Sequence, residues 1–156
     1  MMALQVGDKI PNFSAKDTTG NDFDSATVIG IKPVVFYFYP KDNTPGCTAQ
    51  ACSFRDQYED FKDLGAEVIG ISSDSVASHE KFAKKYKLPF LLLSDHDKKI
   101  SKLFGVKASL FGFLPGRVTY VADKSGIIQL VFDSVMATNH IPKALKIIKK
   151  MASEKD

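Results

Sequence analysis

The sequence predicts an α/β fold in which a central mixed β-sheet is flanked by helices. Three features carry that expectation. Short apolar runs rich in β-branched and aromatic residues alternate with segments whose apolar residues recur every three or four positions. The run Val34–Tyr39 is apolar throughout, except for the phenol oxygens, as suits a central strand covered on both faces. The last two runs are separated only by Asp123-Lys124-Ser125-Gly126, a turn-forming cluster that joins them as a hairpin.

In chain order, the Lys9–Phe23 region offers a small hairpin around Thr19-Gly20-Asn21. Val34–Tyr39 is the first long strand. Ala51, Phe54, Tyr58, Phe61 and Leu64 then mark the inner face of a helix that Gly65 closes. Glu67–Ser72 is the next strand. Phe82, Ala83 and Tyr86 face inward from a shorter helix, and Pro89 marks its exit. Phe90–Ser94 is a strand, and Ile100, Leu103 and Phe104 suggest a third helix. Arg117–Ala122 and Ile127–Phe132 form the hairpin. Ile141, Ala144, Leu145 and Ile148 line the last helix, with lysines outside and Asn139 placed to cap it. After residue 33 the order is β-α-β-α-β-α-β-β-α, the layout of a thioredoxin-like fold with an added N-terminal β extension.

The chain has 156 residues, the size of one compact domain, and residues 1–156 are read as a single unit without repeats or linkers. With 44% hydrophobic and 25% charged residues, the composition is that of an ordinary globular protein. The net charge of +3 is mild, and the lysine groups fall on apparent helix faces rather than in a base-reading stripe. No nucleic-acid partner is expected. No segment approaches the roughly 18 apolar residues of a membrane span, and the start lacks a basic region followed by an apolar stretch. A cytoplasmic location is expected; a plastid protein relieved of its transit peptide would read the same way.

Chemistry concentrates at Cys47, in the run Tyr39-Pro40-Lys41-Asp42-Asn43-Thr44-Pro45-Gly46-Cys47-Thr48, with Cys52, the second of the two cysteines, five residues on. The run lies where a strand hands over to a helix. Unpaired N–H groups and the positive end of the helix dipole favour the thiolate there. Pro40 ends the strand and stiffens the wall of the site. Thr44 offers a hydroxyl that both accepts and donates. Pro45 and Gly46 permit a close approach to the helix mouth. None of His79, His96 and His140 is near Cys47 in sequence, although folding is free to bring one close. Read from the residues alone, a closely spaced cysteine pair is catalytic, metal-binding or inert. A second Cys/His cluster to complete a tetrahedral metal site is missing from the sequence.

Pro40-x-x-x-Thr44-x-x-Cys47 resembles the active-site signature of peroxiredoxins. The extended run Thr44-Pro45-Gly46-Cys47-Thr48-x-Gln50-Ala51-Cys52-x-Phe54-Arg55-Asp56 is similar to the bacterioferritin-comigratory, or Q-type, subfamily. The resemblance runs from Gly7-Asp8-Lys9-Ile10-Pro11 to Gly116-Arg117-x-Thr119-Tyr120-Val121, and Leu110–Arg117 looks most like the plant and algal branch. It implies a thiol peroxidase acting on hydrogen peroxide and organic hydroperoxides. Cys47 would be the peroxidatic cysteine, Cys52 the resolving one, and Thr44 and Arg117 the groups that hold and polarise the peroxide. Pro40, Pro45 and Gly46 would shape the pocket. Thioredoxin or a similar dithiol would recycle the disulfide, the working form would be a monomer, and no metal or cofactor is called for.

Two other functions compete with this one. A thiol–disulfide oxidoreductase suits the fold but lacks a Cys-x-x-Cys motif, and a redox-sensing binding module would be oxidised without turning over. Helix geometry adds a further expectation. Residues five apart in an α-helix have Cα atoms roughly 8–9 Å apart, and a disulfide tolerates no more than about 7 Å. If both cysteines begin in one helix, its first turns must unwind before they bond.

Overall fold

Val34–Phe38 is buried over its whole length at the centre of a seven-stranded sheet. The structure, a computed structural model, describes residues 3–106, 108–109, 114–115, 117–134 and 139–153. The elements are β1 (Ser14–Lys16), β2 (Asp22–Asp24), one 3-10 turn (Ser25–Thr27), β3 (Val34–Phe38), α1 (Pro45–Asp63), β4 (Glu67–Ser72), α2 (Val76–Tyr86), β5 (Leu91–Ser94), α3 (Lys99–Phe104), β6 (Ala108–Ser109), β7 (Leu114–Pro115), β8 (Val118–Ala122), β9 (Ile128–Asp133) and α4 (His140–Ser153).

The strand order is β2-β1-β5-β4-β3-β8-β9, with β6 and β7 paired separately. β3, β4 and β5 are parallel, whereas β8 runs antiparallel to β3. This mixture positions the site. The loops after β3 and β4 leave from the same edge of the sheet, where open α/β sheets hold their ligands. The antiparallel β8 starts at that edge, pairing Val118 with Phe38, and so delivers Arg117 to the point where β3 hands over to α1.

Alternation along the strands divides the core in two. Val35, Tyr37 and Tyr39 face a layer built from Ala51, Phe54, Tyr58 and Phe61 of α1, Phe82 of α2, and Ile141, Ala144 and Ile148 of α4. Val34, Phe36 and Phe38 face Ile100 and Phe104 of α3 together with Ile10, Phe23, Val28 and Ile29 of the N-terminal segment. The expected mixed sheet with helices on both faces is therefore present.

Several boundaries differ from the pattern reading. Phe90 is buried but lies outside β5, because its ring packs edge-on to Tyr37 and Phe54 from the connecting loop. Tyr39 lies past the end of β3 although its N–H still donates to Ile71 O. Arg117 and Ile127 sit one residue before β8 and β9. The short β6–β7 pair was not foreseen, since two-residue strands carry no periodicity. Most of the phenylalanine-rich 111–115 loop lies outside the described residues. The expected N-terminal hairpin is observed: Ser14–Lys16 pairs with Asp22–Asp24, and Asp17 Oδ1 accepts from the Thr19 and Asn21 N–H groups inside the turn.

Candidate active site

α1 begins at Pro45, whose fixed φ suits the first helical position and whose missing N–H would have had no partner there. Thr44 is the N-cap residue, but its hydroxyl makes no capping bond; it donates instead to Lys41 O at 2.9 Å. The first turn contains no acidic residue. The positive end of the helix dipole therefore meets no side-chain counter-charge within its own first turn.

Cys47 is 1% exposed, although Gly46 beside it is half-buried and Pro45 is exposed. Its Sγ lies 3.3 Å from Nη2 of Arg117. The same guanidinium donates through Nη1 to Oε1 of Gln50. Gln50 stands one helical turn after Cys47, so both face the same way, and it fixes the second prong of the fork. Gly46 makes room for this arrangement, because a Cβ built there would stand 3.1 Å from Arg117 Nη2. Cys47 and Cys52 are both free, Cys52 is half-buried, and the two occupy one continuous helix.

Behind the sulfur lies Tyr37, stacked between Phe54 at 4.6 Å and Tyr39 at 5.4 Å between ring centroids. Burial pushes its phenol well above the usual tyrosine range, with Asp42, Cys47 and Cys52 adding to the effect and Arg117 opposing it. The Tyr37 hydroxyl and Gln50 Nε2 are buried without a hydrogen-bond partner. The strip of α1 that holds the cysteines thus rests on a layer that offers it only packing.

The histidines separate into three environments. His96 is exposed. His140, at the start of α4, accepts from Thr119 Oγ1 at 2.8 Å through Nδ1 and donates from Nε2 to Ser134 O at 2.8 Å. Burial holds its ring below the usual histidine range, and the nearby Arg117 charge pushes the same way. His79 lies behind the loop that precedes α1, with Nδ1 2.6 Å from Asp42 Oδ2. Among the described residues, Asp42, Asp74 and His79 are the group whose ligand-type atoms could converge on a metal ion. Asp42 and His79 bond to each other and to Tyr39, Ser78 and Leu93, and the Asp74 carboxylate accepts from the Asp42 N–H and Ser72 Oγ, so hydrogen bonds within the protein already engage all three side chains.

Of the residues singled out in the sequence, Cys47, Gly46 and Arg117 come together at the mouth of α1, with Pro45 opening the helix. Thr44 caps it and turns its hydroxyl to the preceding loop. Pro40, half-buried, follows the end of β3, and Cys52 lies further along the helix. The sequence reading gave no role to Gln50, Tyr37 or the Asp42–His79 pair. The spacing of Gln50 from Cys47 was the available signal for the first; the others depend on contacts between distant elements.

Residues 6–131 match the model of the AhpC/TSA family. Chloroplastic peroxiredoxin Q of Triticum aestivum is 54% identical over 149 residues, covering 95% of this chain and 68% of that protein. The crystal structure of peroxidoxin BcpB from Mycobacterium tuberculosis superimposes with a TM-score of 0.88 at 35% identity, covering 94% of this chain and 97% of that one. Xanthomonas campestris peroxiredoxin Q gives a TM-score of 0.82 at 30% identity, covering 90% and 91%. A matched family model across most of the chain, a shared thioredoxin fold and two cysteines in one helix lead to one conclusion: the chain belongs to the AhpC/TSA family and is a peroxiredoxin, a thiol-dependent peroxidase.

Proposed function

We propose that Cys47 reduces hydrogen peroxide and small organic hydroperoxides, that Cys52 resolves the product, and that a thioredoxin-like dithiol closes the cycle. The observation that carries this reading is the Arg117 guanidinium 3.3 Å from Cys47 Sγ at the mouth of α1. A fixed positive charge there stabilises the attacking thiolate and the negative charge that grows on the departing peroxide oxygen as the O–O bond breaks.

The Cys47 thiolate attacks one peroxide oxygen, the O–O bond breaks, and the other oxygen departs as water or an alcohol after taking up a proton. Cys47 is left as a sulfenic acid. Arg117 and the Gly46 and Cys47 N–H groups stabilise the charge that develops on the departing oxygen, while the Thr44 oxygen, whose own proton goes to Lys41 O, accepts from the peroxide O–H and holds it in place. Pro40, Pro45 and Gly46 shape the space around the reacting atoms. The near-complete burial of Cys47 favours small peroxides over bulky ones.

Cys52 then displaces the sulfenic hydroxyl as water and forms the Cys47–Cys52 disulfide. Both residues sit in α1, so their Cα atoms lie about 8–9 Å apart by helix geometry, beyond the roughly 7 Å a disulfide spans. The first turns of α1 unwind for the bond to form, which also presents the disulfide to an external dithiol. Exchange with that dithiol returns both thiols.

The same reading takes the working form as a monomer. Only Val6, Ile31 and Leu91 are large apolar residues left exposed among the described residues. A reducing compartment suits the unpaired thiols, either cytosol or, by analogy with the chloroplastic plant relatives, plastid stroma. No helix among the described residues is long and apolar enough to cross a membrane.

The test is a peroxide-consumption assay with a thioredoxin recycling system on wild type, Cys47→Ser and Cys52→Ser. Cys47→Ser should abolish activity. Cys52→Ser should retain the first oxidation and lose thioredoxin-dependent turnover. Full turnover by Cys47→Ser would overturn the assignment.

A further inference from the structure

We propose that the buried Asp42–His79 pair, with Tyr39, is a positioning latch that holds the loop before α1 in its peroxide-reactive shape and sets where the helix begins to unwind. The proposal rests on the reading above, in which the first turns of α1 open for resolution.

The loop between Pro40 and Thr44 carries one buried side chain, Asp42, which is 6% exposed. Its Oδ1 accepts from the Tyr39 hydroxyl at 2.6 Å, and its Oδ2 accepts from Ser78 Oγ at 2.9 Å and faces His79 Nδ1 at 2.6 Å. His79 is fully buried, with Nε2 2.9 Å from Leu93 O. A carbonyl only accepts, so Nε2 carries a proton and a second proton is shared between Nδ1 and Asp42. The Asp42 N–H donates to Asp74 Oδ2 at 2.8 Å, which also accepts from Ser72 Oγ. One loop residue is thereby tied to Tyr39 just past β3, to the end of β4, to α2 and, through His79, to β5.

None of these bonds reaches Cys47 or Arg117, so the network acts through the backbone that follows it. Apolar packing of similar volume would stabilise the fold as well as a buried ion pair does. What the pair adds is a fixed path for residues 39–43, directly upstream of Thr44 and the first turn of α1. With that path held, unwinding starts beyond Asn43, and the pocket closes again in one shape. Released, the loop would let Thr44 and the helix mouth drift, which hinders the peroxide step and eases the opening that resolution needs.

The experiment separates those steps. Stopped-flow mixing with hydrogen peroxide gives the second-order rate of Cys47 oxidation and the first-order rate of disulfide formation. Asp42→Ala should slow the first by ~10-fold and speed the second by ~5-fold, as expected for losing several buried hydrogen bonds. Asp42→Asn can still accept from Tyr39 and donate to a neutral His79 and to Ser78, so it should restore both rates to within ~3-fold of wild type. Tyr39→Phe removes one hydroxyl only and should move both rates in the same directions by ~3-fold, which keeps the test decisive if Asp42→Ala does not fold. Ser101→Ala removes one buried hydroxyl bond to Asp95 on the opposite face of the sheet, leaving the two backbone N–H bonds to that carboxylate, and serves as a mildly destabilised control in which neither rate should change.

Parallel loss of both rates, no change in either, or failure of Asp42→Asn to rescue would overturn the latch. Mass spectrometry of oxidised wild type tests the underlying reading separately. If wild type forms no Cys47–Cys52 disulfide, that reading fails, while the effects of Asp42→Ala, Tyr39→Phe and Asp42→Asn on the peroxide step still decide the positioning role.

Discussion

Gly46 and Arg117 are packed so closely that a methyl group on the glycine would stand 3.1 Å from the guanidinium Nη2. That nitrogen lies 3.3 Å from Cys47 Sγ, so the absent side chain sets the approach of the charge to the sulfur. Gly46→Ala forces the end of Arg117 to move by a few tenths of an ångström, weakening its bonds to Sγ and Gln50 Oε1. The rate of Cys47 oxidation should fall by about 10-fold, against about 10²–10³-fold for Arg117→Ala, which removes the donor entirely. Stopped-flow kinetics at constant pH check the order. An Arg117→Ala protein no slower than Gly46→Ala would remove the guanidinium from the mechanism.

The continuous helix between the cysteines gives a second expectation. Ala49 is exposed and lies between Cys47 and Cys52, so replacing it with glycine touches no packing. Ala49→Gly weakens this stretch of helix by about 1 kcal/mol. If unwinding limits resolution, disulfide formation should accelerate by about 5-fold while oxidation by peroxide changes by less than about 2-fold. Rapid-quench trapping of the sulfenic acid, followed by mass spectrometry, measures the first rate directly. Slower disulfide formation in Ala49→Gly would mean that the helix does not have to open.

The sheet, the order of helices and the strand-to-helix position of Cys47 were legible because each rests on local pattern. Val34–Phe38 is apolar on both faces, and α1 repeats Ala51, Phe54, Tyr58 and Phe61 at helical spacing. The convergence of Arg117 on Cys47 was available only through the resemblance, since 70 residues separate them. Periodicity does not specify that β8 runs antiparallel beside β3, and that pairing is what brings them together. The Asp42–His79 pair was hidden for a related reason. Its members span 37 residues, and each alone reads as an ordinary loop aspartate or helix histidine. Gln50 could have been found from its helical spacing, but its bond partner lies on another element.

Packing beneath the site yields a third prediction. Tyr37 lies flat against Phe54 and Tyr39, with its ring end over Gly70 of the neighbouring strand. A Cβ at Gly70 would stand 2.7 Å from Tyr37 Cζ, 2.8 Å from its hydroxyl and 2.8 Å from Leu92 Cδ2. The stacked ring has little room to retreat, so Gly70→Ala should destabilise the fold by about 1–3 kcal/mol through overpacking. Because Tyr37 also backs the cysteine strip, the variant should lose peroxidase rate as well as thermal stability. Gly70→Ala combined with Tyr37→Phe removes the hydroxyl clash and should recover part of the loss. Denaturant melts of the single and double variants test this, and a fully stable Gly70→Ala would show that the ring moves freely.

His140 supplies a pH dependence whose sign follows from its surroundings. Burial disfavours its charged form and Arg117 repels a second positive charge, whereas the bond to Ser134 O and the Asp133 charge oppose the shift only in part. The folded ring therefore takes up a proton at lower pH than the unfolded chain, whose histidine titrates near its ordinary value of about 6.5. Between the two values the unfolded state binds more protons, so acidification draws the equilibrium toward it. The contribution of His140 is intact above the unfolded value, falls as pH drops through it, and levels off once the folded ring is protonated. His140→Gln cannot titrate, so its melting temperature should fall less than that of wild type between about pH 7.5 and pH 5. Other groups titrate in both proteins, and the difference between the two curves isolates the ring. A wild type that gains stability relative to His140→Gln on acidification would reverse the sign and place a net stabilising negative charge, rather than burial and Arg117, in control of this residue.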